Sequence, residues 1–171
     1  MPQASTGGVF IYKLGGSCQL CRRPMPDLPE TLIRVNTLLG EYVAIHDAIF
    51  KFSWRRTIPI PGIFKATDFG AHFKDLNRLA SKLATTLSAL EEEPGPLEGS
   101  HQYATALLES IQALRKMCKR LHEKSQGDIR TYPMAEYNAD LKTYEGLMNR
   151  CQELGIALNR RLRDEDTQPD G

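Results

Sequence analysis

Two cysteines near the start of the chain have the spacing of half a zinc site. Cys18 and Cys21 form a Cys-x-x-Cys pair, a spacing used by zinc ligands and by redox pairs. A structural zinc ion needs four ligands, and the best completion is Cys118 with His122, which share one face of a predicted helix. Cys118, however, also belongs to the predicted core stripe, and no βαβ pattern supports a thioredoxin-like role. We therefore predict unrelated thiols, no metal and no cofactor.

The histidines offer two further candidates for chemistry. A di-iron centre in a helical bundle needs Glu-x-x-His pairs that face inward from two helices. The one such spacing, Glu98 to His101, lies in a turn rich in Pro and Gly, so a di-iron enzyme is excluded. His46, which is followed by Asp47, lies on the apolar stripe of the first predicted helix. We interpret it as a core histidine that hydrogen bonds across the bundle, because no nucleophile can be placed beside it.

Arg115 and His122 form a third candidate pair, on the third predicted helix. They are seven residues apart, so they share a helix face and could converge on one phosphate. This spacing resembles the arginine-to-histidine pattern of the HEPN ribonucleases, which are small helical bundles, although Lys116 stands where that family tends to have an uncharged polar or acidic residue. The resemblance implies RNA cleavage by Arg115 and His122. The alternative is two solvated residues at a basic helix end.

The least ordinary segment of the chain is the loop 54–64. Two prolines and a glycine exclude a helix there, yet the loop holds several large apolar side chains. Trp and Arg often anchor protein interfaces, and the same composition suits a membrane surface with the arginines on lipid phosphates. The loop could equally fold over the open end of the bundle. The residues predicted to contact a protein partner or a membrane are Trp54, Arg55, Arg56, Ile60, Ile63 and Phe64.

Composition excludes several classes of function. The 171 residues are 41% hydrophobic and 25% charged, and the formal net charge is only +1, so the chain is no polycation that seeks nucleic acid. No phosphate-binding glycine loop follows a strand, and aromatic residues do not alternate with a basic stripe. We expect no nucleic acid and no small-molecule substrate. Because we find neither a membrane-spanning run nor a secretory signal pattern, we expect a cytoplasmic protein.

Four amphipathic stretches must position these residues. In each of them, apolar residues recur at steps of three and four, which predicts a helix with one buried face. In the fourth stretch, from Met134 to Leu162, the steps alternate between three and four without a break, and we predict that the others are organised around it. The predicted helices run from a cap at Asp27 to about Trp54, from a cap at Thr67 or Asp68 to Pro94, from just after Ser100 to Gly127, and from Tyr132 to about Arg163.

Similar helix lengths and short connections predict an all-α fold, an up-down antiparallel four-helix bundle. The bundle is expected to span 27–164, between a flexible N-terminal arm at 1–26 and a disordered acidic tail at 165–171. Continuous apolar stripes without a convincing catalytic constellation indicate a non-enzymatic interaction module that binds a protein partner or self-associates. The alternatives are a membrane-associating bundle that uses the loop 54–64, and a HEPN-like ribonuclease.

Gly155 interrupts the apolar stripe of the fourth predicted helix, between Cys151 and Leu158. Glycine in a helix interior costs about 1 kcal/mol relative to alanine. A glycine at a core position therefore predicts that another backbone passes close by.

Overall fold

The computed structural model describes residues 28–50, 67–93, 97–127 and 132–165, and this part of the chain is entirely helical apart from short turns. The helices are α1 (Glu30–Phe50), α2 (Phe69–Glu92), α3 (Ser100–Gln126) and α4 (Met134–Glu165). The prediction of an all-α fold with four long helices is confirmed for these residues. The cap at Asp27, the end of the first helix near Trp54 and the arm at 1–26 lie outside the described residues. So does the acidic tail predicted at 165–171, except for Glu165, which is the last residue of α4 and not part of a disordered tail.

Two helix starts show how the local sequence sets the boundaries. Asp68 caps α2 as predicted: its carboxylate accepts a hydrogen bond of 2.9 Å from the backbone N–H of Ala71. This bond lowers the pKa of Asp68. The third helix begins one residue earlier than predicted, because Gly99, and not Ser100, is its N-cap. Gly99 has a φ of 91°, in the left-handed region that favours glycine.

Helix α3 is the central element, which corrects the prediction that the last helix organises the fold. α3 packs against α1, α2 and α4. Its buried positions lie on more than one face, and the small ones among them, such as Ala104, Ala106 and Ser110, allow neighbouring helices to approach closely. The buried residues include Tyr103, Ala104, Ala106, Leu107, Ser110, Ile111, Leu114, Met117 and Cys118. The regular stripe of α4 instead marks a helix with one buried face, and the first residue of that stripe, Met134, is 67% exposed.

Polar contacts join α1 to α2, and α3 to α4. Thr31 of α1 donates to the carboxylate of Glu93, and Lys82 of α2 lies 3.3 Å from Glu41 of α1. Between α3 and α4, Lys116 donates to Asp140 over 3.0 Å. These contacts, together with the shared apolar core, are consistent with a helical bundle.

Helices α1 and α4 both pack against α3 but do not pack closely against each other. No close approach of their backbones is found among the described residues. They meet instead through side chains, at Tyr42 of α1 and Tyr144 of α4. The space between these two helices forms a groove.

Candidate binding groove

The groove between α1 and α4 is a cleft of about 440 Å³. Its lining residues on α4 recur every three or four positions from Met148 to Arg163, so it follows one face of that helix for about 22 Å. Three helices contribute the lining, which consists of Leu39, Tyr42 and Val43 of α1, Tyr103 and Leu107 of α3, and Met148, Cys151, Gln152, Gly155, Ile156, Asn159, Arg160 and Arg163 of α4.

The floor of the groove is apolar. Leu39, Tyr103, Leu107 and Cys151 are all buried there. Burial raises the pKa of the Cys151 thiol to about 11 and that of the Tyr103 hydroxyl well above its usual range, so both groups are neutral at physiological pH. The floor therefore presents no charge to a ligand.

Near the Met148 end of the groove, hydrogen bonds join α1 and α4. The hydroxyls of Tyr42 and Tyr144 lie 2.7 Å apart, and Tyr42 also donates to the sulfur of Met148 over 2.9 Å. Burial, together with the neighbouring Tyr144, raises the pKa of Tyr42 far above its usual range. The pair is thus neutral and mutually satisfied, as buried polar groups must be.

His46 lies beside this pair, at the edge of a cluster of rings. Its ring centroid is 4.8 Å from that of Phe50 and 6.1 Å from that of Tyr144. About a third of its side chain is exposed, and its Nδ1 lies 3.6 Å from Asp47. The prediction of a core histidine is therefore corrected to a half-buried one that packs against aromatic neighbours.

Gly155 makes room for the side chain of Tyr103. The prediction that the backbone of another helix passes close to Gly155 is therefore wrong. A Cβ at this position would lie 3.1 Å from Cε2 of Tyr103. The aromatic ring of α3 therefore occupies the space that a side chain on α4 would need. Because both residues line the groove, the glycine also keeps the groove open.

The rim of the groove exposes apolar residues on both sides. Val43 of α1 is 37% exposed and Ile156 of α4 is 45% exposed. The neutral polar residues Gln152, which is exposed, and Asn159, which is half-buried, also line the groove. An apolar floor with exposed apolar shoulders is typical of a surface that a partner covers.

Among the described residues, the charged side chains that line the groove are those of Arg160 and Arg163. Other arginines of α4 have acidic partners: Arg150 lies 3.4 Å from Glu109, and Arg161 lies 3.3 Å from Glu98. Arg160 forms no side-chain hydrogen bond or ion pair with any residue in the described ranges. The arginines give this end of the groove a positive charge with no carboxylate in the lining.

The structure gives Arg115 and His122 contacts with α2. Arg115 donates to the side-chain oxygen of Asn77 over 2.9 Å. The ring of His122 lies against Gly70, where an added Cβ would come within 2.8 Å of Cε1. The two residues thus share a helix face, as their spacing predicts.

The other residues singled out in the sequence have separate environments. Cys118 is buried, and burial raises the pKa of its thiol to about 12. Glu98 pairs with Arg161, while His101 lies 3.0 Å from Glu91. Within the described ranges, no group of three or more His, Cys, Asp or Glu residues is placed to hold a metal ion. The predicted contact residues Trp54, Arg55, Arg56, Ile60, Ile63 and Phe64, like Cys18 and Cys21, lie outside those ranges.

A cluster of polar residues around Asp140 connects the start of α4 to the end of α3. Asp140 accepts hydrogen bonds from Lys116, Arg120 and Tyr132, over 3.0, 2.8 and 2.9 Å. Burial alone would raise the pKa of Asp140, but the hydrogen bonds from Lys116 and Tyr132 and the nearby cations outweigh burial and lower it. Arg120 also lies over the ring of Tyr132, 5.3 Å from its centroid. The polar groups of this cluster hydrogen bond to one another, and we interpret its role as stabilising the contact between α3 and α4.

Comparisons with family models, with curated proteins and with solved structures find no match to this chain. Among the described helices, none combines the length and the apolar composition needed to cross a membrane.

Proposed function

We propose that this chain is a non-enzymatic interaction module, and that the groove between α1 and α4 binds an amphipathic helix of a protein partner. The observation that supports this proposal is the apolar floor of the groove between two exposed apolar shoulders, Val43 and Ile156. The sequence prediction of a protein-binding module is retained, and the proposed surface moves from the loop 54–64 to the described helices.

The shape of the groove favours a helix as the occupant. The groove follows α4 for about four turns, and its walls are helices. An amphipathic helix that lies in such a groove inserts side chains at steps of three and four, a common mode of peptide recognition. Its apolar face would cover Val43, Ile156 and the floor, which removes apolar surface from water and so stabilises the complex.

An up-down antiparallel arrangement is part of the proposal. It is supported by contacts that join the start of one helix to the end of the next: Thr31 with Glu93, Gly70 with His122, and Glu98 with Arg161. Spin labels test it at three exposed positions, Ser88, Gln102 and Ser125. We expect a short distance between Ser88 and Gln102, and about 30 Å between Ser88 and Ser125. The reverse order would contradict the arrangement.

Peptide selection with groove variants tests the binding surface. Peptides of 16 residues that bind the full-length chain are selected from a displayed library of helix-forming sequences. We expect their affinity to fall at least about tenfold for the double variant Val43→Glu, Ile156→Glu, because a charge on each shoulder must be desolvated when the helix docks. The matched control is Ile33→Glu, which alters an apolar residue of α1 that is 47% exposed and does not line the groove. It should leave affinity unchanged.

Three results would contradict the proposed function. The first is a library that yields no binder, and the second is a set of binders that the two groove substitutions leave unaffected. The third is RNA cleavage by the wild-type chain that His122→Ala abolishes, which would favour the ribonuclease alternative. The membrane alternative has a separate test, sedimentation with liposomes that contain anionic lipid, compared with a variant in which Trp54 is replaced by Ala.

A further inference from the structure

We infer that the groove selects partner helices with an acidic side chain about one turn beyond their apolar face, and that this carboxylate binds at Arg160, at the end of the groove where Arg163 also lies. This inference rests on the proposed function, because it names the chemistry of the partner for the same groove. It goes beyond that proposal by predicting which amphipathic helices the groove rejects, namely those with a cation at the same position.

The first observation is the sign of the charges on the groove. Both charged side chains in the lining are arginines, and the rest of the lining is neutral. The neighbouring Arg161 does not line the groove and binds Glu98 instead. It donates a hydrogen bond of 2.8 Å to the backbone carbonyl of Glu98 and forms an ion pair with its carboxylate. Arg160 has no such partner in the described part of the chain. A guanidinium that lines a groove without an ion pair suits a carboxylate from a ligand.

The second observation is where the charge lies along the groove. Ile156 and Arg160 are four residues apart on α4, which places them about 6 Å apart along the axis, or about one helical turn. From Ile156 towards Met148, the lining is apolar apart from Gln152. A docked helix that runs along α4 therefore meets apolar surface first and positive charge one turn later. Its complementary pattern is apolar residues at steps of three and four, with Asp or Glu one turn past the last of them.

The arginines are expected to contribute selectivity more than raw affinity. Arg160 and Arg163 are exposed, so salt and water weaken a pair formed with either of them. Exposed charges at the rim of an interface mainly steer association and penalise partners of the wrong sign. Reversing both charges replaces the positive charge at this end of the groove by a negative charge. We expect this to change affinity for an acidic helix by about tenfold at low salt and by less at high salt.

The test compares peptides selected on three forms of the full-length chain. The forms are the wild type, the double variant Arg160→Glu, Arg163→Glu, and a charge-matched control, Lys142→Glu, Arg150→Glu. The control reverses two exposed cations of α4 that do not line the groove. Circular dichroism spectra and thermal unfolding establish that all three are folded before binding is measured.

We expect wild-type selections to be enriched in Asp or Glu one turn beyond the apolar residues, and selections on the reversed groove to be enriched in Lys or Arg there. Acidic peptides should bind the reversed groove about tenfold more weakly than the wild type, and the control variant within about twofold. Peptides that lose affinity for the Val43→Glu, Ile156→Glu variant but show no charge preference would overturn this inference alone. Peptides insensitive to those two shoulder substitutions would overturn the proposed function itself.

Discussion

Tyr103 of α3 lies against Gly155 of α4 so closely that a Cβ on the glycine would come within 3.1 Å of the aromatic ring. The contact belongs both to the core and to the floor of the groove. It explains how glycine is accommodated in the middle of a long helix, where its cost is about 1 kcal/mol relative to alanine. The first prediction follows from this contact.

Replacing Gly155 by Leu should destabilise the fold by about 1–3 kcal/mol, because the new side chain must displace the ring of Tyr103. The matched control is Gly146→Leu on the same helix, where nothing lies within 4 Å of an added Cβ. The control should be stabilised by up to about 1 kcal/mol through helix propensity alone. Urea denaturation measures both variants. Equal stabilisation of the two would show that Tyr103 does not pack at Gly155.

The hydroxyl pair of Tyr42 and Tyr144 should be energetically coupled. Tyr42→Phe leaves the buried hydroxyl of Tyr144 without this partner, and Tyr144→Phe does the converse. Each single change should cost about 1–2 kcal/mol of unfolding free energy, and the double variant should cost less than their sum. A double-mutant cycle by urea denaturation measures the coupling. Additive losses would mean that the two hydroxyls do not depend on each other.

Asp140 should stabilise the fold in a pH-dependent way. Its pKa in the folded protein is lowered from the ordinary value of 3.8, so the unfolded chain takes up a proton first as the pH falls. Its contribution is therefore complete above pH 3.8 and is lost as the pH drops through the lower folded-state pKa. Asp140→Asn should be less stable than the wild type at neutral pH, and the difference should shrink below about pH 4.

Unfolding free energies measured at several pH values, for the wild type and for Asp140→Asn, test this account. The control is Asp75→Asn, which alters an exposed carboxylate of α2 that pairs only with Arg78 on its own helix. That change should have little effect at any pH. A stability difference between Asp140→Asn and wild type that stays constant from pH 7 to pH 3 would contradict the lowered pKa.

Within the described residues, the helical type of the four long segments and most of their ends could be predicted because they depend on local patterns. Apolar steps of three and four, the cap at Asp68 and the glycine after α3 are all readable from residue order. The central role of α3 was missed because a regular apolar stripe indicates one buried face and does not distinguish a central helix from a peripheral one; α3 and α4 both have such a stripe. Small residues such as Ala106 and Ser110, buried at its contacts, were the available signal.

The groove could not be predicted because it depends on how far apart α1 and α4 pack, which no local pattern encodes. Two residues gave a partial indication of the groove in the sequence. Val43 widens the apolar surface of α1 beyond its stripe, and Ile156 lies beside Gly155 outside the stripe of α4. Apolar residues just outside a regular stripe are therefore worth testing as shoulders of a binding surface.

Chemical-shift mapping tests the central claim most directly. The labelled full-length chain is titrated with a helical peptide selected for binding to it, and the perturbed backbone amides are assigned. The account predicts that perturbations concentrate on the groove, at Leu39 and Val43 of α1 and from Met148 to Arg163 on α4. Perturbations confined to α2, or to residues 51–66, would contradict the claim that this groove is the binding surface.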